Sequence, residues 1–371
     1  MGEGLLKARL LSCGAVLVPP GAVPQFSLSA SSAGPGAGSL SIFLELGGSR
    51  VRLEALRSSC ALEMAEGRKE VEAPAGRGGR GGGGSEELAG REPPALEREG
   101  GRLRLVLGGE VLAESVRVAH PGLHAPRQAF INLRDSCIFN CAFCALPRLP
   151  PRPRPSAERW LELVSGAVER GRVDAVAVTS GVWGSAHESA LEMADFVRRV
   201  RAALPDTPVG VEPYTTSVGD IEALWSAGAT ELKLNIQCAT GELMKRVCPG
   251  LDWRGVWRAL EAGVEVFGRN RVCSNLILGL GESDEEALDA ARELAGMGVL
   301  VNLRPLRTNA LNLEPLTGAL GRRPRPVSAS SLLRLAMAQK RIFKKHSLDP
   351  GRFRTMCHRC TACELAPFRD V

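Results

Sequence analysis

A chain of 371 residues with a net charge of +6 suits one catalytic-sized core with terminal additions rather than two large domains. Apolar residues at 44% and charged residues at 24% exclude a disordered or fibrous chain, and no apolar run approaches the roughly 20 residues needed to cross a bilayer. The run at 10–19 is broken by Ser12, Cys13 and Gly14 with no clear cleavage pattern after it, so neither a signal peptide nor a membrane partner is expected, and a reducing, cytoplasmic location is. Eleven cysteines are an odd number, and six of them sit in two tight groups near 140 and 360; in a reducing compartment that pattern points to metal before disulfides.

Residues 1–126 read as a β-rich extension. Short strands are predicted at 43–46 and 51–53 around Gly47-Gly48, and a second pair at 102–106 and 111–118 around Gly108-Gly109. Between them, residues 73–101 are rich in Gly, Arg and Glu and bury too little apolar surface to order themselves, so a disordered insert is predicted. Its Arg-Gly-Gly run could bind RNA, but a flexible insertion is the preferred reading; the weakly basic balance does not require nucleic acid.

From 127 to 327 apolar runs alternate with helix-period segments. Strands are predicted at 129–133, 174–179, 208–213, 230–235, 274–278 and 299–303, and helices at 156–170, 186–203, 217–227, 252–263 and 283–297. Ser283 followed by Asp284, Glu285 and Glu286 is an acidic helix start. Strand–helix alternation implies right-handed crossovers and a parallel α/β sheet, either open or curled into a barrel, with ligands at the C-terminal strand ends. The Pro/Arg run 147–155 reads as extended loop. Residues 328–371 hold one helix, 328–346, ending in Lys344, Lys345 and His346, and then a Cys-rich tail.

Directly after the first core strand comes Cys137-Ile-Phe-Asn-Cys141-Ala-Phe-Cys144, spaced C-x3-C-x2-C. Three thiolates can hold three irons of a cubane and leave the fourth open to an exogenous ligand, while Phe143 screens the cluster. The plainer alternative, a zinc knuckle or an inert cluster, normally recruits a fourth Cys or His, and the nearest histidines in sequence, His120 and His124, lie upstream of the strand. This motif in this position resembles the radical S-adenosylmethionine (radical SAM) superfamily over roughly residues 127–310. The resemblance implies a partial (βα)6 TIM barrel, a [4Fe–4S] cluster on Cys137, Cys141 and Cys144, and S-adenosylmethionine as the ligand of the open iron. It also implies cofactor contacts at Thr179, Ser180 and Gly181, at Glu212, and at the Gly279-Leu-Gly281-Glu turn.

The stretch 235–253, with Arg246, Pro249, Gly250 and Trp253, resembles the lipoyl synthase and biotin synthase branch, as do 278–286, 301–306 and 313–316. That branch inserts sulfur at unactivated carbons and draws it from a second, sacrificial Fe–S cluster. The corresponding group here is Cys357, Cys360 and Cys363, spaced C-x2-C-x2-C, for which a structural zinc or a structural cluster is the alternative. Lipoyl synthase carries its auxiliary cysteines near the N-terminus, where this chain has only Cys13 and Cys60, and biotin synthase takes its second set from barrel strands, where only Cys238 and Cys273 stand. A component of the two-component lipoyl synthase of archaea would accommodate this mixture. Its implied partners are a ferredoxin or flavodoxin donor, a second radical SAM protein and an acylated carrier protein. Asn235, Gln237 and Arg304, at strand ends, are the residues expected to face substrate. Cys13, Cys60 and Cys248 are expected to be small packed side chains. The other readings are a peptide- or small-molecule-modifying radical enzyme whose C-terminal cluster relays electrons, and a non-catalytic metal- or RNA-binding module.

Overall fold

The computed structural model describes residues 2–24, 28–30, 39–56, 92–119, 126–150 and 154–371; Cys60, the Arg-Gly-Gly run, His120, His124 and residues 151–153 fall outside them. The first unit is α1 (Glu3–Cys13) on a sheet of β1 (Ala15–Leu17), β2 (Leu28–Ala30), β3 (Leu40–Leu46), β4 (Ser49–Leu56), β5 (Ala95–Glu99), β6 (Arg102–Leu107), β7 (Glu110–Ala113) and β8 (Arg117–Val118). Its order is β2-β3-β4-β1-β5-β6-β7, with β8 added on β3. β1 runs parallel to both β4 and β5, while the other pairs are antiparallel. Gly108 and Gly109, at φ 55° and 85°, form the two-residue turn between β6 and β7, a backbone that glycine adopts at no steric cost.

Three predictions change here. The apolar N-terminal run divides: its first residues end α1, closed by Gly14 in the left-handed region, and Ala15–Leu17 form β1. The single strand expected at 111–118 breaks: 110–113 stays on β6 beyond a bulge at Leu105/Val106, whereas Arg117 and Val118 cross to β3. Within the expected insert 73–101, Ala95–Glu99 is a strand, because Leu96 is fully buried and the segment pairs with β6 and β1.

The core alternates β9 (Gln128–Asn132), α2 (Ala157–Glu169), β10 (Ala175–Thr179), α3 (Ala186–Ala203), β11 (Val209–Glu212), α4 (Val218–Ser226), β12 (Glu231–Lys233), α5 (Gly241–Val247), α6 (Trp253–Phe267), β13 (Val272–Leu278), α7 (Asp284–Met297) and β14 (Leu300–Pro305). All six strands pair in parallel and in chain order, and among the described residues β9 and β14 do not pair with each other. Hence the sheet is a six-stranded, open partial barrel. Every residue of β10 and β13 is buried, as expected where helices cover one face and the lumen is filled. Hydroxyl or carboxylate caps start α2, α3, α4, α5, α6 and α7, and Ser283 with Glu286 forms the reciprocal capping box. The Pro/Arg run opens not as extended chain but as a 3-10 turn, Leu146–Arg148.

After α8 (Leu313–Leu320) and α9 (Ala329–Lys345), the tail turns back through Pro350–Arg352 and ends in α10 (Met356–Cys360). This last helix lies inside the barrel. Gln128 of β9 accepts from the Met356 amide (2.7 Å), Glu231 of β12 accepts from the Arg354 amide (2.6 Å) and from the Thr355 hydroxyl, and Arg304 of β14 donates to the Cys357 sulfur (3.2 Å). Strands from both edges and the middle of the sheet thus meet one short segment, which a flat sheet would not allow. Beyond α10 the tail joins the N-terminal sheet. The Arg52 amide donates to the Ala362 carbonyl (2.8 Å), and Lys7 of α1 reaches the Thr361 carbonyl (2.7 Å) and the Asp370 carboxylate (2.6 Å). Neither Lys7 nor Asp370 has any exposed side-chain surface, and burial drags the Lys7 pKa down against the pull of Asp370.

Removing one partner of such a pair leaves a buried, uncompensated charge. Lys7→Met is therefore expected to lower stability by about 3–5 kcal/mol, and a double variant with Asp370→Leu to regain a substantial part of it. Urea unfolding midpoints at constant m-value measure both.

Candidate functional site

The segment between β9 and α2 carries the first cysteine trio, and neighbouring elements hold it from several directions. The Gly181 amide donates to the Arg134 carbonyl (2.9 Å) and the Ile138 amide to the Val182 carbonyl (2.8 Å), fastening the loop to the end of β10. Gly181 is needed there because a Cβ would lie 2.1 Å from the Ser136 carbonyl oxygen. Arg134 forks onto Glu192 (2.9 and 2.6 Å) and stacks 4.6 Å from the Trp183 ring, whose indole N–H donates to the same carboxylate (2.9 Å). On the other side Arg148 donates to the carbonyls of Cys141 (3.2 Å) and Cys144, and Asn312 donates to the Phe143 carbonyl (2.8 Å).

The three thiols differ. Burial raises Cys137, and raises Cys144 to about 12. Cys141 is held below the ordinary thiol range by a hydrogen bond from Cys248. Cys248 is fully buried in the apolar cluster around Cys141, as its expected packing role requires, but its thiol is also polar company for a trio member.

Both trios open onto one cavity of about 280 Å³. Cys137, Cys141 and Cys144 line it with Phe139, Phe143 and Tyr214; Phe139 and Tyr214 meet edge to face at 4.9 Å. Thr179, Ser180, Gly181 and Glu212 line its strand-end wall, as do Asn235, Gln237 and Arg304. Cys357, Cys360 and Cys363 line the same cavity. Gly279 and Gly281 are elsewhere: they border a separate cleft with Arg322 and Arg325, where the Glu282 carboxylate accepts the amides of Gly279 and Leu280.

The lumen also holds groups that the sequence did not single out. Lys233 lies between the carboxylate of Glu212 (2.9 Å) and the sulfur of Cys357 (3.4 Å). Asn235 donates to Glu212 (2.7 Å) and accepts from the Asn275 amide (3.0 Å). Gln237 adopts φ 59°, a strained backbone for a residue with a side chain, while its own amide and carbonyl bridge to β13. Arg307 and Arg52 join Arg304 around Cys363: burial raises that thiol, but the three guanidinium groups outweigh it and bring it down to about 6. Cys360, without such compensation, is pushed by burial up to about 12. The only advance signal for Lys233 was its place two residues before Asn235 on a strand of parallel-sheet type; Arg52 gave none.

Among the described residues, no three His, Cys, Asp or Glu side chains gather closely enough to hold a single ion. A cubane instead distributes three thiolates over three irons, and its anionic charge fits the surplus of cations in this lumen. Residues 131–294 match the family model described as "Radical SAM superfamily". The core belongs to the radical SAM superfamily. A radical SAM core implies a [4Fe–4S] cluster and S-adenosylmethionine. The chain is 31% identical to the lipoyl synthase of Nitrosospira multiformis over 169 residues, 44% of this chain and 52% of that protein. It is 28% identical to biotin synthase 2 of Frankia casuarinae over 198 residues, 50% and 53% of the two chains. It thus spans about half the length of the curated relatives it matches. Among solved structures, the FeFe-hydrogenase maturase HydG from Carboxydothermus hydrogenoformans superposes with a TM-score of 0.48 at 16% identity, covering 60% of this chain and 53% of that one.

If the close approach at Gly181 seats the first trio, Gly181→Ala must displace the Ser136 carbonyl. Iron bound after anaerobic reconstitution is expected to fall by a large fraction, whereas Ser180→Ala, beside it, keeps wild-type iron; colorimetric iron assay per chain decides.

Proposed function

We propose that this chain is a radical SAM enzyme that inserts sulfur at an unactivated C–H bond. Cys137, Cys141 and Cys144 are the ligands of the [4Fe–4S] cluster, and Cys357, Cys360 and Cys363 those of a second Fe–S cluster. When bound, the first cluster and S-adenosylmethionine together supply one-electron cleavage of the cofactor and a radical able to abstract hydrogen. The observation that carries the reading is that both trios face the same cavity, so a substrate lying between them is within reach of a radical on one side and of sulfur on the other.

The chain's own residues have definite tasks in this scheme. Phe139, Phe143 and Tyr214 make an apolar wall that keeps water from the radical side. Glu212, fixed by Lys233 and Asn235, presents a carboxylate edge next to Thr179, Ser180 and Gly181, suited to an ammonium group of the cofactor. Asn235, Gln237 and Arg304 face the substrate. Lys233 and Arg304 both touch the Cys357 sulfur and partly offset the burial that raises its thiol, so they favour the thiolate that a bound metal group would require. The lipoyl and biotin synthase relatives support sulfur insertion over other radical chemistry.

The proposed partners are a ferredoxin or flavodoxin as reductant, a second radical SAM protein, and an acylated carrier protein. Ile138, 56% exposed beside Cys137, offers the reductant an apolar contact close to the cluster loop. No helix among the described residues is long and apolar enough to cross a membrane. The second reading, electron relay by the C-terminal cluster, is favoured by the same cations, since positive charge and hydrogen bonds at the sulfurs raise a cluster's potential.

Anaerobic reconstitution is expected to give about eight irons per chain. Replacing Cys137, Cys141 and Cys144 together with Ala ends 5′-deoxyadenosine formation on reduction and removes about half of the iron. Turnover with an octanoyl-lysine peptide, with and without a candidate partner protein, tests the chemistry directly. Isotopically labelled cluster sulfide should appear in the product, and Cys360→Ser should stop that transfer. Label retained on the protein after turnover excludes insertion and leaves relay.

A further inference from the structure

Three thiols meet behind the first trio, and two of them, Cys238 and Cys248, do not line the cavity. Both are without exposed surface, and with Cys141 they belong to one apolar cluster that includes Phe143, Leu243 and Met244. Cys248 lies within hydrogen-bonding reach of Cys141 on one side and of Cys238 on the other. Backbone bonds fix this meeting. The Ala142 amide donates to the Val247 carbonyl (2.7 Å), joining the chain neighbours of Cys141 and Cys248. The Cys248 amide closes α5 on the Met244 carbonyl (2.8 Å), and the Cys248 carbonyl takes the Leu251 amide (3.0 Å). Gln237, at φ 59°, accounts for the arrival of Cys238: the left-handed residue lines the cavity while its successor is buried in the cluster.

The members of the trio differ in what donates to them. The Cys137 sulfur faces the amides of Val182 and Phe139, and the Cys144 sulfur that of Leu146. Such backbone donors come with the fold of the loop. Cys141 has a side-chain partner as well, Cys248. A cysteine that ligates iron is a thiolate and carries no proton, so between Cys141 and Cys248 only Cys248 can donate. Cys248 has a single S–H. Once that proton is directed at Cys141, the Cys248 sulfur can only accept, and Cys238 is its donor. A metal on Cys141 therefore gives the thiol chain one direction, from Cys238 through Cys248 to Cys141. Cys141 is 9% exposed and the other two not at all, so solvent does not compete, and the apolar surroundings strengthen each bond.

We propose that Cys248 is a positioning residue for the first cluster: its S–H donates to the ligand sulfur of Cys141, Cys238 holds it in that orientation, and the hydrogen bond raises the cluster's reduction potential. This assignment rests on Cys137, Cys141 and Cys144 being the cluster ligands, and adds to that reading a residue outside the ligand motif. An added electron increases the negative charge on the sulfurs, so a donor at one of them stabilises the reduced form more than the oxidised one. Apolar packing at 248 would be served as well by Ala or Val, whereas the hydrogen bond needs a donor.

The test is a redox titration of the anaerobically reconstituted full-length protein, read by the electron paramagnetic resonance signal that Cys137→Ala abolishes. At a fixed potential, Cys248→Ala is expected to lower the ratio of reduced to oxidised cluster at least about threefold, roughly 28 mV at 59 mV per tenfold. Cys248→Ser, which keeps an O–H donor, should recover most of that shift, and Cys238→Ala should lower the potential by a smaller amount. An unchanged potential in Cys248→Ala, or an equal fall in Cys248→Ser, overturns the proposal. If Cys248→Ala loads no iron, the wild-type protein decides: a buried S–H stretching band should move to lower frequency when iron is loaded, and a band that stays in place overturns the proposal. Deoxyadenosine assayed on the same samples keeps the two ideas apart: its absence with the potential shift intact sinks the radical chemistry and leaves the hydrogen bond standing.

Discussion

The pair formed by Lys7 and Asp370, neither with any exposed side-chain surface, joins the first helix to the end of the tail. Its reach is wider than one ion pair. Lys7 also holds the Thr361 carbonyl, between Cys360 and Cys363, while Asp370 takes the Ser49 hydroxyl (2.7 Å) and the Ala366 amide (2.7 Å). The last cysteine trio is therefore positioned by the N-terminal helix and sheet as much as by its own short helix. A short Cys-rich tail has little core of its own; wedged between a barrel and a sheet, it acquires one.

The lumen presents the opposite problem, because too many polar groups are buried together. Lys233 keeps its charge despite complete burial, since Cys357 and Glu212 outweigh the desolvation. Arg304 keeps its own through Cys363 and Cys357. The guanidinium groups acidify Cys363, while Lys233 and Arg304 only partly offset the burial that raises Cys357, so the network is worth most when the thiolates exist. Loading the trio with a metal group that demands thiolates works with this arrangement, whereas an all-apolar lumen would oppose it. His358, beside Cys357 in sequence, does not share the cavity, and burial drives it down to about 3, which leaves it neutral against the ring of Phe353.

Much of the core was legible because parallel strands buried on both faces and hydroxyl-capped amphipathic helices are local patterns. The helix predicted at 186–203 has those bounds in the structure, and the six strands fall within one or two residues of expectation. The grouping of the first trio on one cavity was legible because its members lie within eight residues of one loop at a strand end. The short helices at 241–247, 313–320 and 356–360 were not read from periodicity, since five to eight residues offer barely two turns at most to reveal it. The strand at 95–99 was hidden by charged neighbours, its pairing being decided by one buried leucine and two distant strands. Lys233 and Arg52 were invisible for a deeper reason. Whether a basic residue on a strand is solvated or drawn into a lumen depends on which face closes and on what returns from the far end of the chain. Gly279 and Gly281 show the converse: a turn that reads as cofactor-binding sits here around Glu282, outside the shared cavity.

These placements divide the labour of the chain. The matched residues, 131–294, contain the first trio and the strand ends around it, that is, the parts that any radical SAM core needs. Arg304, Arg307, the second trio and Arg52 all lie outside that span, yet all enter the same cavity. If a reaction is to differ from that of a relative while the radical step stays the same, the difference must be made where the substrate's other groups are held. Here the groups that enter the cavity from outside the matched span come from the last barrel strand and the residues just after it, the tail and the N-terminal sheet. Because the tail's cysteines and the sheet's arginine are locked together through Ala362, Thr361 and Asp370, they cannot be positioned independently. A change at the sheet's arginine will therefore be felt at the second cysteine trio, and the two are coupled through the fold.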